Sequence, residues 1–210
     1  MPLQSLVTNN FIYANWLRPL RAMRAWKARD FAGFAPRFIK EAVLKRHGKP
    51  DTQWVETGTY LGQTTAFLAR FSPRVYTIEP EPELFDRARE RFADGHVTVI
   101  RGTSEEVLPA LLPDLSGDVN FWLDGHYTSE ITYMGDQACP IEDELNAIEA
   151  NLGNFADVRI LVDDVRCFTG GRSHGGSYPS IDYLVDWARR YGFTWSIEHD
   201  IFIMKRASGA

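Results

Sequence analysis

The chain has 210 residues, enough for one α/β domain with a full core, and its 44% hydrophobic and 24% charged residues are ordinary for a globular protein. That balance argues against intrinsic disorder, and no apolar run reaches the ~18–20 residues needed to cross a bilayer. Asn9, Asn10, Asn15 and Arg18 interrupt the N-terminus, so it lacks a signal-peptide pattern, and a cytoplasmic protein without a membrane span is expected. The net charge of −5 is unevenly spread: residues 1–50 hold ten Lys/Arg against Asp30 and Glu41, a balance of +8 that leaves −13 on the remainder. Such a leader suits an anionic substrate, a nucleic acid, a membrane surface or the chain's own acidic body. Trp16, Trp26, Phe31, Phe34 and Phe38 are interleaved with its charges, which favours packed helices over a floating tail. Residues 1–49 are therefore expected to form a helical extension, a lid or a homodimer contact, ahead of a main domain over 50–210. Cys139 and Cys167 have no metal-site spacing and read as reduced thiols.

In chain order, Phe38, Ile39, Ala42 and Val43 recur at helical spacing and predict a helix over about 36–46, stopped by His47-Gly48-Lys49-Pro50. Short apolar runs rich in Val, Ile and aromatic residues predict strands at 53–56, 74–78, 97–100, 119–123 and 158–162. Helices are expected between them at about 64–71, 82–92, 104–112 and 141–151. The segment 82–92 carries acids early and arginines late, the order a helix dipole prefers. Beyond the glycine-rich stretch 169–177, a helix over 180–191 precedes two strands, 193–198 and 201–205, joined at His199-Asp200. The alternation predicts a mostly parallel α/β sheet covered on both faces, and its closing antiparallel hairpin resembles the Rossmann-like, seven-stranded sheet whose last strand inserts antiparallel.

In an open α/β sheet, ligands bind where the strands end at their carboxyl edge. The first such turn here is Glu56-Thr-Gly-Thr-Tyr-Leu-Gly62. Gly58 allows a tight turn, Gly62 allows close backbone approach, and the following helix start offers unpaired N–H groups near Thr59 and Thr64. Glu79 ends the second strand with a carboxylate about twenty residues on, the placement that receives ribose hydroxyls. The dinucleotide pattern Gly-x-Gly-x-x-Gly is absent, which disfavours NAD.

On these residues the chain resembles the class I S-adenosylmethionine-dependent methyltransferases over roughly 50–206, and among them the metal-dependent O-methyltransferases of catechol and macrocin type. The segment Gly102-Thr-Ser104-Glu105-x-x-Leu108-Pro109 is similar to the one by which catechol-type enzymes hold adenine, so the resemblance places Ser104 and Glu105 there. Ser104 is also expected to cap the helix that follows. The resemblance implies S-adenosyl-L-methionine as cofactor, bound by Glu56, Gly58, Thr59, Gly62, Thr64, Glu79, Ser104, Glu105 and Asp124.

Strand four ends in Asp124 and strand five in Asp163-Asp164, and adjacent acids repel unless a cation shares them. Hard oxygen donors on neighbouring strand ends suit Mg²⁺. The three match, one for one, the metal-holding positions of the resembling enzymes, which makes Asp124, Asp163 and Asp164 the expected ligands. Those enzymes carry a Lys base three residues after the first Asp. Tyr127 stands there instead, so His126, with Asp124, is expected to do the acid–base work. His174 is a further candidate for substrate contact, and Glu142 or Glu144 for metal or substrate binding, unless these acids only favour the first turn of a helix. The expected acceptor is a small-molecule hydroxyl, on a sugar or natural product. A nucleic acid is disfavoured because no stacking motif is found. Two alternatives stay open: metal-free methylation of another acceptor (nitrogen, nucleic acid or protein) and a non-catalytic cofactor-binding module.

Overall fold

The computed structural model describes residues 17–125, 139–173 and 176–207. Strands β1 (Gln53–Thr57), β2 (Val75–Glu79), β3 (Val97–Arg101), β4 (Gly117–Leu123), β5 (Phe155–Val162), β6 (Thr194–Glu198) and β7 (Ile201–Ala207) form one sheet. Their spatial order is β3-β2-β1-β4-β5-β7-β6. The first five pair in parallel, and β7 enters antiparallel between β5 and β6. His199 and Asp200 turn the closing hairpin with φ of 49° and 70°, the positive values a two-residue type I′ connection requires.

Helices α1 (Arg18–Lys27), α2 (Arg37–His47), α3 (Gln63–Leu68), α4 (Pro82–Arg91), α5 (Ser104–Leu111), α6 (Ile141–Asn151) and α7 (Ile181–Arg190) accompany the sheet. The side chains of each strand alternate between its faces. Val55, Phe121, Leu123, Ile160, Val162, Phe202 and Met204 therefore meet α5, α6 and α7 through Leu108, Leu145, Ile148, Leu184 and Trp187. Trp54, Trp122, Leu161, Ile201 and Ile203 face the other way, onto Val43 and Leu44 of α2 and Leu68 of α3. Gly48 follows α2 because a Cβ there would lie 2.3 Å from the Trp54 ring.

Three expectations change. Helix α3 ends at Leu68 rather than Phe71; Pro73 lies just beyond and disfavours helix before it, and Phe71 packs edge-on to Phe67 and Trp54. Strands β4 and β5 begin before their apolar runs because Gly117 pairs with Phe155, so ladder pairing extends them past the hydrophobic pattern. Helix α2, assigned from sequence to a covering extension, is a core helix of the sheet. Among the described residues, no helix is long and apolar enough to cross a membrane. Both cysteines are free and buried.

Because Leu44 is fully buried between α2 and the sheet, Leu44→Ala should cost about 2–5 kcal/mol of unfolding free energy in urea titration. A loss under ~1 kcal/mol would mean that α2 does not belong to the core.

Candidate functional site

The turn after β1 is built around a close approach of two strand exits. Gly58 has φ of 82°, and a Cβ on it would sit 2.6 Å from the Asp124 carbonyl oxygen. Asp124 in turn donates its N–H to the carbonyl and the hydroxyl of Thr57, at 3.3 and 3.2 Å. Tyr60, a non-glycine residue, takes φ of 49°. That strained backbone lets its N–H donate to Glu79 Oε2 at 2.7 Å. Gly62 has φ of 66° at the start of α3, and its missing Cβ makes room for the Phe92 ring, 3.0 Å away. Its smallness leaves room for Phe92, just past the end of α4.

Beneath the turn lies Glu56, fully buried on the same strand face as Trp54. One carboxyl oxygen, Oε2, accepts from the hydroxyls of Thr65 at 2.5 Å and Thr77 at 2.7 Å, and Thr77 meets Thr59 at 2.6 Å. The other oxygen, Oε1, is buried with no partner among the described residues. Burial pushes Glu56 from the ordinary 4.5 up to about 8; the two threonine hydroxyls oppose the rise, and the charges of Asp124 and Glu79 add to it. The carboxyl is thus mainly protonated at neutral pH.

Glu79, at the exit of β2, is buried as well. Burial raises its pKa, against the backbone N–H groups of Glu81 and Tyr60 that its two oxygens accept. Each oxygen keeps a further lone pair for a ligand hydroxyl. The Glu79 carbonyl accepts the Gly102 N–H at 3.2 Å, which ties the β2 exit to the turn carrying Ser104 and Glu105. Ser104 is buried and Glu105 half-buried there. Thr103, rather than Ser104, is the cap of α5, with its N–H 3.5 Å from Glu106 Oε2.

The aspartates of β4 and β5 are arranged differently from expectation. Asp164 leaves the strand with a left-handed φ of 58°. Asp163 is buried and pairs with the Lys40 ammonium of α2, while its Oδ1 has no partner among the described residues. Lys40 also stands 3.6 Å from Asp164 Oδ1. Asp164 accepts Arg166 at 2.8 Å, and Arg166 pairs with Asp200 and lies over the Phe34 ring, 3.9 Å from its centroid. Burial opposes the Lys40 charge, but Asp163, Asp124 and Asp164 outweigh it and raise its pKa. Asp163 is itself raised, by burial and then by Asp124, against the pull of Lys40. Among the described residues, no three His, Cys, Asp or Glu side chains come together to hold a metal. As the donors stand, Asp163 and Asp164 hold side-chain cations and do not fit a magnesium site.

Of the other expected residues, Thr64 is half-buried beside Asp124 along one cavity, and Glu144 is buried with Oε1 3.2 Å from where a Gly125 Cβ would lie. Glu142 is exposed on the first turn of α6. His126, Tyr127 and His174 lie outside the described residues. Motif reading missed Lys40, Tyr60, Thr65 and Thr77. The threonines had a signal, since polar residues in apolar strand and helix faces must find buried partners; Lys40 had none.

A model of a methyltransferase-domain family matches residues 55–138, under half of the chain, from β1 through the Asp124 turn. No curated protein matches the chain. Among solved structures, a caffeoyl-CoA O-methyltransferase candidate from Staphylococcus aureus superposes with TM-score 0.56 at 14% identity, covering 97% of this chain and 98% of that one. The 23S rRNA methyltransferase ErmE gives 0.51 at 14% identity over 85% of this chain and 70% of its own. An rRNA-methylase candidate from Clostridium thermocellum gives 0.51 at 14% over 79% and 93%. The fold is Rossmann-like, of the methyltransferase kind.

Glu56 generates a pH prediction. Its folded pKa stands above its unfolded value, so its contribution to stability is complete below 4.5 and is lost as pH rises through about 8. Glu56→Gln keeps the acceptor for both threonines and removes the ionisation. The ligand-free variant should overtake the wild type by at least ~1 kcal/mol in urea titrations at pH 8.5, with little difference at pH 5. Parallel curves for the two proteins across that range would show that Glu56 titrates normally.

Proposed function

We propose that the chain is an S-adenosylmethionine-dependent methyltransferase that methylates a hydroxyl of a small molecule. The observation that carries this reading is the pair of buried glutamates bracketing the glycine turn. Glu56 has a buried carboxyl oxygen without a protein partner, and Glu79 has both oxygens anchored by backbone N–H groups. A ligand with an ammonium, a sulfonium and ribose hydroxyls complements that donor set. In this reading Glu79 receives the ribose, Ser104 and Glu105 border the adenine, and Glu56 faces the cationic methionyl end. Gly58, Thr59, Gly62 and Thr64 shape the turn, with Asp124 beside the sulfonium. The family match over 55–138 and the methyltransferase fold agree with it.

When bound, the cofactor supplies an electrophilic methyl group. The chain's part is to hold the acceptor oxygen in line with the carbon–sulfur bond and to exclude water. The acceptor hydroxyl would pass its proton to a carboxylate as it takes up the methyl group, and Asp124 at the β4 exit is the residue that would receive it. No step is assigned to a metal, because Lys40 and Arg166 already neutralise the β5 aspartates.

A second reading, an RNA acceptor, is favoured by one observation. Arg18, Arg21, Arg24 and Lys27 recur at every third position along α1 and are exposed. Both readings share one test, transfer of a labelled methyl group from S-adenosylmethionine to sugars and phenols on one side and ribosomal RNA on the other. Label in a small-molecule hydroxyl with blank RNA is expected; label confined to RNA selects the second reading. Glu79→Ala should weaken S-adenosylhomocysteine at least about tenfold by calorimetry, a loss of charge-assisted hydrogen bonds to ribose. Failure of the wild type to bind that product would refute both readings.

A further inference from the structure

The half of the site on the β5 side holds a charge arrangement that cofactor binding does not use. A cavity of about 230 Å³ lies between α2 and the exit of β4, lined by Phe34, Arg37, Lys40, Thr64, Trp122 and Asp124 among others. It runs from the cofactor turn, represented by Thr64 and Asp124, to the segment before α2, represented by Phe34. Arg37 is paired with Glu41, one turn along α2, at 2.6 Å, which leaves Lys40 as the cation turned to the strand exits. The Lys40 side chain is only one-fifth exposed, and its aliphatic stem is packed while its ammonium meets Asp163 and Asp164.

An ammonium has three N–H donors. Among the described residues, that of Lys40 makes one hydrogen bond, to Asp163 Oδ2, and a longer ion pair to Asp164. Asp163 Oδ1, buried beside it, has no partner among the described residues. The aspartates at these exits are thus arranged about a cation, and that cation is covalently part of the chain.

We propose that the Lys40 ammonium is the resident cation of the acceptor site, standing where a divalent metal would otherwise sit and offering its remaining N–H donors to the acceptor oxygen. The proposal rests on the methyltransferase reading for the word acceptor, though its electrostatic content does not. A fixed point charge in a half-buried site draws an acceptor oxygen towards it and favours loss of the hydroxyl proton, as a metal would, without a dissociable ion. The acceptor class that fits is a compact neutral alcohol or phenol with one apolar flank, since Phe34 and Trp122 form walls of the same cavity.

The test uses Mn²⁺ as the probe, a hard cation that takes the oxygen donors Mg²⁺ takes and is followed by its electron paramagnetic resonance signal. Three full-length proteins are compared: wild type, Lys40→Met, which keeps the stem without the charge, and Lys40→Arg, which keeps a charge. Wild type and Lys40→Arg should leave the free-Mn²⁺ signal undiminished at millimolar metal. Lys40→Met should bind the ion at least about tenfold more tightly than wild type, because the carboxylates are released. A structural ion pair alone would lower the melting temperature of Lys40→Met without creating a metal site. Tight Mn²⁺ binding by the wild type, equal binding by the arginine and methionine variants, or no binding by Lys40→Met would each overturn the proposal. Lys40→Gln replaces Lys40→Met if the latter fails to fold, and the wild-type titration decides by itself in one direction. S-adenosylhomocysteine titration of the same proteins separates the two claims. Absent product binding with the predicted Mn²⁺ pattern would sink the methyltransferase reading and leave the cation assignment standing.

Discussion

Parallel strands all finish at one edge, and this chain places an acid at or within one residue of four of those finishes: Glu56, Glu79, Asp124 and Asp163. Unit charges a few ångströms apart in a partly dry site repel by several kcal/mol, so each acid has to be compensated before the sheet can close over it. The compensations differ across the edge. On the β1–β2 side they are a retained proton on Glu56, threonine hydroxyls and backbone N–H groups. On the β5 side they are the side-chain cations Lys40 and Arg166. One half of the edge is therefore compensated by a proton and neutral donors, and the other by the chain's own cations.

The rest of the molecule holds this division in place. Gly58 lets β1 and β4 exits touch, and the Gly102 N–H binds the β3 turn to Glu79. The side chain of Asn120, buried within β4, exchanges two hydrogen bonds with the Lys49 backbone, which fixes where the chain leaves α2 and enters β1. Helix α2 serves twice: Val43 and Leu44 anchor it in the core, and Lys40, about one turn earlier, reaches over the strand edge. A helix that were merely a cover could not hold an ammonium to a fixed position.

Much of this was legible in the residues. Apolar runs ended by an acid located four of the five parallel strand exits, and the closing hairpin followed from two short runs about a His-Asp turn. What escaped were contacts between distant segments. Nothing near Lys40 marks it, because its partner lies 123 residues away and its helix reads as ordinary amphipathic pattern. Asp163 and Asp164 read as a pair because they are adjacent, and both do reach the Lys40 ammonium, but Asp164, at a left-handed φ, also accepts Arg166, a partner that adjacency did not reveal. Gly62 starts its helix as read, and the nearby Phe92 ring, at the C-cap of the next helix, is a contact that the motif did not signal.

The central claim is that the β1–β2 half of the edge is a cofactor site built for positive charge and ribose. A crystal structure of the chain with S-adenosylhomocysteine tests it most directly. The account predicts the ribose oxygens within hydrogen-bond distance of Glu79 and the methionyl ammonium on the side of Glu56. A complex with the ligand bound elsewhere, or with Glu79 and Glu56 both turned away from it, would contradict the account.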